Sequence, residues 1–396
     1  MIAKHILFFL FLTIVPDLYI YLRYIRRRRS YAWWKGVLWF LPAAAMLAFA
    51  VYLVSRDGFV SGNQSLVELY LLLFGIIVAP KAAYALCSFL GMLVCRLRKS
   101  NRNWGNLCGL LLAIYCIYVV VVGSTSGIRN LKVKEVDIAF DSLPAAFDGY
   151  RIALVSDLHV GTLSDKRQDI LARAVDSINA QHADAIVFAG DLQNVEPQEL
   201  YEHRFLLSSL KAADGVYSVL GNHDYSAYSD AGEVESAANE RELQSIERQM
   251  GWTLLMNDRC VISRNGDSIV IAGLENHGKE PKTDSERKRF PQRGDTKKAL
   301  SGIADNAFVV MVEHTPTAWR DLILPETKAQ LTLSGHTHGG QVNLFGLRLT
   351  RFTYAEDAGL YWEGDRALYV TSGVGGLVPM RFGMPGEIVV ITLRKK

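Results

Sequence analysis

Five short motifs in the second half of the chain combine aspartate, asparagine and histidine at close spacing, and they hold five of its nine histidines. Carboxylate, amide and imidazole groups without a thiolate are ligands that suit manganese, iron or zinc better than a soft-metal site. The motifs are, in chain order, SDLH at 156–159, GDLQN at 190–194, GNHD at 221–224, EHTP at 313–316 and GHTH at 335–338. The candidate site residues are Asp157, His159, Asp191, Asn222, His223, Asp224, His314, His336 and His338.

The spacing within two of these motifs has a physical meaning. Residues i and i+2 of an extended strand point to the same face, so the pair Asp157 and His159 can reach one site, and so can His336 and His338. Glycines beside the motifs allow sharp turns and a close approach of the backbone. Each motif alone is weak, because a single buried histidine is usually structural. The five together predict a metal centre.

The elements that must position these residues are strands, since each motif follows an apolar run such as YRIALV or AQLTLS. Apolar runs alternate with segments of helical spacing from residue 150 onward, which predicts an α/β domain with some antiparallel strands. Ligands of open α/β sheets bind beyond the carboxyl ends of the strands, so distant motifs can converge there. Asn265 and Gly266 predict a hairpin turn. The polar stretch 278–298 is interpreted as a solvated loop, with a lid or a membrane-surface contact as alternatives.

The first part of the chain has a different texture, with four stretches near the roughly 20 apolar residues needed to cross a bilayer. We therefore expect an all-α transmembrane region at 1–125, a connecting segment at 126–149 and the α/β domain at 150–396. A basic cluster follows the first stretch instead of preceding it, which favours a retained helix over a cleaved signal peptide. The predicted helices lie at about 5–25, 33–54, 66–95 and 107–123.

Lysines and arginines in the short loops predict the orientation of these helices. The first and third loops are basic, whereas the second has only Arg56. This pattern places the N-terminus and the α/β domain on the extracytoplasmic side of a plasma or inner membrane. Asp17 and Lys81 are charges inside the predicted spans, and they are interpreted as functional, as interfacial or as a pair within the bundle. Pro80 interrupts the third stretch, which we interpret as one kinked helix.

The order and form of the motifs resemble the calcineurin-like metallophosphoesterase superfamily, whose signature is D-x-H, GDxx[DN], GNH[DE], a separate histidine and GHxH. The resemblance covers residues 150–396 and implies a four-layer αββα sandwich with a two-metal site at one edge. It implies that Asp191 bridges the ions, that His223 is a catalytic histidine outside the ligand set, and that Asp224 orients His223. Asn194 departs from the aspartate of many relatives. The implied ligands are Asp157, His159, Asp191 and His338 for one ion, and Asp191, Asn222, His314 and His336 for the other.

The expected function is hydrolysis of a phosphomonoester, phosphodiester or pyrophosphate bond by a membrane-anchored enzyme that uses two divalent ions of manganese, iron or zinc. GHTHGGQ and PMRFGMPGEIVV resemble membrane-associated bacterial phosphoesterases, some of which act on lipid-linked pyrophosphates. The expected partners are the lipid bilayer and a phosphorylated small-molecule or lipid substrate, with no signal for nucleic acid. The alternatives are a catalytically silent metal-binding regulatory or signalling protein, and a transporter or channel regulated by its α/β domain.

Overall fold

A computed structural model describes residues 2–28, 31–55, 64–229, 232–278 and 292–396. The chain divides into two structural units, Met1–Thr125 and Ser126–Lys396. Most of the predicted polar loop at 278–298, and the orientation residues Arg29 and Arg56, lie outside the described residues.

The first unit consists of apolar helices. The described residues contain four helical runs that are long and apolar enough to cross a membrane: Phe8–Ile25, Trp33–Ser55, Gln64–Arg98 and Gly105–Gly127. The stretch interrupted by Pro80 remains one helical run, because a π-helical turn at Phe74–Val78 joins its two α-helical parts. Pro80 lies in the first turn of the second part, where its missing N–H needs no intrahelical partner. The helices are α1 (Ile2–Ile20), α2 (Trp33–Ser55), α3 (Gln64–Leu73), α4 (Ala79–Arg98) and α5 (Gly105–Val122).

Asp17 of α1 and Lys81 of α4 form an ion pair inside this unit. The Nζ atom of Lys81 lies 2.9 Å from Oδ1 and 3.0 Å from Oδ2 of Asp17, and the Asp17 side chain is buried. Lys81 Nζ also lies 4.7 Å from the ring centre of Trp39 in α2. The two charges therefore satisfy each other within the bundle, which is the pairing alternative of the sequence analysis.

The second unit contains two six-stranded mixed sheets. The first sheet has the order β1-β12-β2-β3-β4-β5, and β2 to β5 run parallel. The second has the order β10-β11-β9-β8-β7-β6, and β7, β8, β9 and β11 run parallel. The first-sheet strands are β1 (Leu131–Phe140), β2 (Arg151–Val155), β3 (Ala185–Phe188), β4 (Val216–Ser218), β5 (Thr253–Leu254) and β12 (Gly386–Lys395). Those of the second are β6 (Asp258–Arg264), β7 (Asp267–Gly273), β8 (Phe308–Val312), β9 (Leu331–Ser334), β10 (Gly359–Glu363) and β11 (Arg366–Val370).

Alternating side chains of the strands build three hydrophobic layers. Ile152 packs between the two sheets, whereas its neighbour Ala153 packs on the outer face of the first sheet. That outer face is covered by helices α6 (Gln168–Asn179), α7 (Arg204–Leu207) and α8 (Glu233–Gln249). The outer face of the second sheet packs against the helical segment around Trp319 and Ile323. The predicted four-layer αββα arrangement is therefore confirmed.

Two local features bear on the sequence predictions. Asn265 and Gly266 both have positive φ in the turn between β6 and β7, which pair antiparallel, as the Asn-Gly hairpin signal predicts. The segment 126–149 is more than a connector, because it contributes β1, which pairs in parallel with the last strand of the chain. Half of β1 is exposed, and only Ile138 and Phe140 are buried, so its hydrophobic signal is weak.

Candidate metal centre

The candidate residues follow five strands that meet at one edge of the sandwich. Asp157 comes two residues after β2, Asp191 three residues after β3, and Asn222 four residues after β4. His314 and His336 each come two residues after the end of β8 and β9. Since β2, β3 and β4 run parallel, as do β8 and β9, their carboxyl ends lie on the same side of each sheet.

The backbone bends sharply at most of these positions. Non-glycine residues rarely adopt a left-handed φ, and such strain costs roughly 1–3 kcal/mol for each residue. Strained residues cluster at functional sites, because the surrounding structure must hold them in place. Five of the candidate residues have positive φ: Asp157 (53°), His159 (46°), Asp191 (59°), His336 (72°) and His338 (52°).

Glycines at the second histidine motif permit a close approach of the chain. A Cβ atom on Gly335 would lie 2.0 Å from Ser156 Oγ and 2.5 Å from Asp157 Oδ2, so a larger residue would push the Asp157 loop away. Gly339 has a φ of 54°, and a Cβ there would lie 2.2 Å from Met384 Cε. Gly335 therefore lets the GHTHGG turn pass close to the Asp157 loop, and Gly339 lets it pass close to Met384.

The first ligand group, as we name it, contains Asp157, His159, Asp191 and His338. One potential ligand atom from each residue lies within 4.8 Å of all the others. His159 Nε2 lies 3.5 Å from Asp191 Oδ2, and His338 Nε2 lies 3.4 Å from Asp157 Oδ1.

The second ligand group contains Asp191, Asn222, His314 and His336. His314 Nε2 lies 3.1 Å from Asp191 Oδ2, and His336 Nδ1 lies 3.3 Å from His314 Nε2. His336 Nδ1 is also 2.7 Å from Asn222 Oδ1. Asp191 Oδ2 therefore faces a histidine of each group, so this carboxylate is common to both.

The outer nitrogens of the histidines differ between the groups. In the second group, His314 Nδ1 donates to the Ala189 carbonyl at 2.7 Å, and His336 Nε2 lies 2.9 Å from the Tyr354 hydroxyl. In the first group, neither ring nitrogen of His159 has a hydrogen-bond partner among the described residues, and Nδ1 of His338 has none there either. The protein itself therefore fixes the rings of the second group more firmly than those of the first.

His223 lies beside the first ligand group. Its ring centre is 4.8 Å from that of His159, and the ring stacks on Tyr228 at 4.1 Å. His223 Nδ1 donates to the Asn194 carbonyl at 2.6 Å, which leaves Nε2 as the nitrogen available to a substrate. The partner of the His223 ring is thus a backbone carbonyl, and the prediction that Asp224 orients this ring is wrong.

Asp224 instead fixes the loop that carries Asp191. Its buried carboxylate accepts hydrogen bonds from the backbone N–H groups of Asp191 and Gly221, each at 2.8 Å, and from those of Leu192 and Gln193. Asp191 Oδ1 in turn accepts the backbone N–H of His223 at 2.9 Å. Asp224 therefore acts on the position of the shared carboxylate.

The pKa values reflect burial and mutual interaction in this site. Burial alone would raise the pKa of Asp191, but the nearby His314 and His223 hold it well below its usual range. Burial would lower the pKa of His314, yet the Asp191 carboxylate raises it to about 10. Burial lowers the pKa of His159 to about 3. Burial and the nearby His159 lower the pKa of His338 well below its usual range. The imidazoles of the first group are therefore neutral near pH 7, the form that binds metal.

Three residues missed by the sequence analysis support the site. Tyr354 contacts His336, and Tyr228 both stacks on His223 and accepts a hydrogen bond from Asn222 Nδ2 at 2.9 Å. The buried guanidinium of Arg381 donates to the carbonyl oxygens of Ser372 and Gly373 at 2.8 and 3.0 Å, and so fixes the loop against Asp157. The two tyrosines carry no distinguishing spacing, whereas Arg381 stands in the quoted segment PMRFGMPGEIVV.

The residues fit divalent metal ions. Buried polar atoms nearly always find a hydrogen-bond partner, yet both ring nitrogens of the fully buried His159 lack one among the described residues. Its Nε2 atom instead faces a carboxylate in a cluster of nitrogen and oxygen donors. This donor chemistry is that of a manganese, iron or zinc site.

Comparison with known proteins agrees with this geometry. A family model described as "Calcineurin-like phosphoesterase" matches residues 150–340, and one described as "Probable Calcineurin-like phosphoesterase, transmembrane domain" matches residues 3–128. An uncharacterized metallophosphoesterase of Bacillus subtilis is 30% identical over 276 residues, which cover 67% of this chain and 86% of that protein. The chain therefore belongs to the calcineurin-like metallophosphoesterase family, and its four apolar helices make it a membrane protein.

Two further relatives show how the similarity extends along the chain. An uncharacterized metallophosphoesterase of Campylobacter jejuni is 24% identical over 392 residues, which cover 96% of each protein. A transmembrane protein with metallophosphoesterase domain from Danio rerio is 29% identical over 293 residues, which cover 72% of this chain. The chain spans 62% of the length of the Danio rerio protein.

Proposed function

We propose that this protein is a membrane-anchored phosphoesterase that depends on two divalent metal ions. The first ligand group would hold one ion and the second would hold the other. The observation that carries the proposal is the position of Asp191 Oδ2, which lies 3.5 Å from His159 Nε2 and 3.1 Å from His314 Nε2. Asp191 would therefore contribute a ligand to the ion of each group.

The chemistry divides between the ions and the protein. Two bound ions supply Lewis-acid stabilisation of negative charge on a phosphoryl group during an in-line displacement. The Asn194 carbonyl holds the Nδ1–H of His223, so Nε2 would face the departing oxygen. In the doubly protonated ring, the Nε2 proton would pass to that oxygen and leave a neutral imidazole. Stacking on Tyr228 keeps the His223 ring in one plane. Asp224 and Arg381 would hold the Asp191 and Asp157 loops in the required geometry.

The four membrane-capable helices support a proposal for the substrate class. Four spanning helices keep the domain close to lipid, which favours a lipid-linked or envelope phosphoester or pyrophosphate as the substrate. The basic first and third loops favour an extracytoplasmic position of the domain. A reporter enzyme fused to the C-terminus should therefore be active only on that side, and cytoplasmic reporter activity would contradict the orientation.

The central experiment is a substrate panel with the purified full-length chain in detergent and Mn²⁺. The panel contains p-nitrophenyl phosphate, bis-p-nitrophenyl phosphate, phospholipids, UDP-linked lipids and nucleotides. We expect metal-dependent release of product from at least one class, and loss of that activity on chelation. A chain that binds metal without turnover on any class would instead be the silent regulatory protein of the alternative interpretation.

A further inference from the structure

A short apolar loop leaves the second histidine motif and returns to the metal centre. This apolar loop, residues 342–353, begins four residues after His338 and ends one residue before Tyr354. Its large apolar side chains are exposed: Phe345 by 96%, Phe352 by 79%, Leu349 by 74% and Leu347 by 54%. Four such side chains within eight residues form a concentrated apolar surface, whereas scattered single ones would be ordinary.

The tip of the apolar loop is a tight turn with an unusual residue. Leu344 and Leu347 exchange backbone hydrogen bonds at 3.0 and 2.9 Å, and the two central residues, Phe345 and Gly346, have φ values of 55° and 88°. A turn with positive φ at both central positions favours asparagine, aspartate or glycine at the first of them. Phenylalanine there is strained, and its side chain is almost fully exposed at the turn.

The base of the apolar loop is firmly attached to the domain. Arg348 binds the buried Asp357 carboxylate through Nε and Nη2 at 2.6 and 2.8 Å. Thr350 Oγ1 donates to the same carboxylate at 3.1 Å, and the backbone N–H of Asn343 donates to the Phe382 carbonyl at 2.8 Å. The exposed rings are therefore presented from a fixed base.

The apolar loop is also connected to the second ligand group. Tyr354, immediately after the loop, places its hydroxyl 2.9 Å from His336 Nε2, and its backbone N–H donates to the Thr350 carbonyl at 2.8 Å. Thr350 itself packs on Gly340, where a Cβ would lie 3.2 Å from the threonine side chain. Whatever surface receives Phe345 and Phe352 is thus held at a fixed position relative to the metal centre.

The charge of the apolar loop indicates which kind of surface receives Phe345 and Phe352. Residues 342–353 contain Arg348 and Arg351 but no acidic residue. Both arginines pair with Asp357, which leaves one net positive charge, and the side chain of Arg351, 3.7 Å from Asp357, is 58% exposed. Exposed leucine and phenylalanine flanked by arginine is the composition of a segment that enters the boundary between lipid headgroups and acyl chains. The same chain has four helices that are long and apolar enough to cross a membrane, so a bilayer is a surface that this loop can reach.

We propose that the apolar loop inserts Phe345 and Phe352 into the outer acyl region of an anionic bilayer and so holds the metal centre at the lipid surface. The site then acts on phosphoester bonds in the headgroups of membrane amphiphiles, a substrate class that rests on the proposed phosphoesterase function. Insertion itself does not rest on that function, so the two can be tested separately.

Photo-crosslinking in a membrane tests insertion directly. A benzophenone amino acid replaces Phe345 or Phe352 in the full-length chain, which is placed in nanodiscs of phosphatidylcholine and phosphatidylglycerol. Phe205 in α7 is the matched control, because it is also a phenylalanine with 76% exposure. We expect lipid adducts by mass spectrometry at positions 345 and 352 and few at 205. Absence of adducts at 345, equal adducts at 205, or protein dimers cross-linked through 345 would overturn the proposal.

Kinetics with paired substrates tests the consequence for catalysis. The double variant Phe345→Ser/Phe352→Ser is compared with the wild type on short-chain and hexadecyl p-nitrophenyl phosphates, and Phe205→Ser is the control. We expect KM for the hexadecyl substrate to rise at least about tenfold, because two large apolar contacts are lost, with the short-chain kinetics unchanged. Unchanged or equally reduced activity on both substrates would count against the lipid role. A wild type inactive on both, with lipid adducts still formed, would count against the phosphoesterase function alone.

Discussion

The two halves of the metal centre share Asp191 but are supported in different ways. In the second ligand group, the outer nitrogens of His314 and His336 contact the Ala189 carbonyl and the Tyr354 hydroxyl. In the first ligand group, His159 and Nδ1 of His338 have no such support among the described residues. Outer hydrogen bonds of this kind set the tautomer and ring orientation, and their loss typically costs about 10–100-fold in metal affinity.

This difference suggests an order of assembly. The rings of the second ligand group are positioned by the fold before any ion arrives, so an ion there needs little rearrangement of the rings. It must still displace a proton from His314, whose pKa the Asp191 carboxylate raises to about 10. In the first ligand group, the pKa values of His159 and His338 are lowered, so both rings are neutral and ready to bind. Their Nδ1 atoms have no hydrogen-bond partner within the described part of the chain. We expect the second group to fill first and the first group to become ordered when its own ion binds.

Removal of the shared carboxylate should have the largest effect. Asp191→Ala takes one ligand from each group, so we expect loss of both ions and a fall in kcat/KM of roughly 10³-fold or more. Elemental analysis of the purified variant and steady-state kinetics would measure the two effects. Two retained ions would contradict the assignment of Asp191 as the common ligand.

His223→Ala should separate catalysis from metal binding. His223 is in neither ligand group, so we expect both ions to remain while turnover falls by about 10²–10⁴-fold. His203, which is buried and also lies in neither group, provides the control substitution His203→Ala. Full turnover in His223→Ala, or loss of an ion from it, would exclude the proton-transfer role.

Paired histidine variants test the comparison itself. His159→Ala should keep one ion with near wild-type affinity, because the second ligand group is intact. His314→Ala should keep only the ion of the less supported group, bound about 10–100-fold more weakly. Calorimetric titration of each chelator-treated variant with Mn²⁺ would measure this, and equal affinities would remove the distinction between the groups.

Tyr354→Phe is a milder probe of the same support. The change removes only the hydroxyl that lies 2.9 Å from His336 Nε2 and keeps the ring. We expect about tenfold weaker binding of one ion, at the low end of the range for outer hydrogen bonds, and no change for the other. An unaltered titration curve would show that the His336 ring is held by packing alone.

We expect the smallest effect from a substitution at Glu247, which lies outside both ligand groups and serves as a control. Burial, together with the negative charge of the nearby Asp224, raises the pKa of Glu247 on α8 to about 8 from a usual 4.5, although a hydrogen bond from Ser218 opposes this shift. The folded state therefore binds the proton more tightly than the unfolded chain, and this stabilisation is lost as the pH rises from 4.5 to about 8. Glu247→Gln should unfold at a higher temperature than the wild type above pH 8, by about 2–4 °C for each kcal/mol, with little difference below pH 4.5. Thermal unfolding at several pH values would check it, and a constant difference would contradict the shifted pKa.

The metal centre was largely predictable because its information is local. A strand end followed by D-x-H or H-x-H dictates which side chains share a face, and parallel strands bring those ends together. Asp224 shows where sequence proximity misleads. It follows His223 directly in the chain, yet its carboxylate turns to four backbone amides of other residues. Adjacent side chains at a sharp turn point in different directions, which a linear pattern cannot reveal.

The remaining differences between the sequence predictions and the structure come from contacts between distant parts of the chain. Only two residues of β1 are buried, so its own sequence carries little hydrophobic signal. Its partner strand comes some 250 residues later, where Leu131 pairs with Gly386. Tyr228 and Tyr354 support the site through side-chain contacts whose positions depend on the folded loops. Such contacts depend on tertiary structure and leave no recurring local pattern in the sequence.

The ion pair between Asp17 and Lys81 has a consequence for how the protein is made. The two residues are 64 positions apart, so during synthesis at about 5–20 residues per second α1 waits several seconds for its partner. An unpaired aspartate within a span costs about 2.5–3.5 kcal/mol on the translocon scale. The first helix is therefore expected to stay beside the translocon, or to insert only reversibly, until α4 emerges. Stable insertion of α1 into the bilayer then depends on the synthesis of α4, because Lys81 supplies the partner of Asp17.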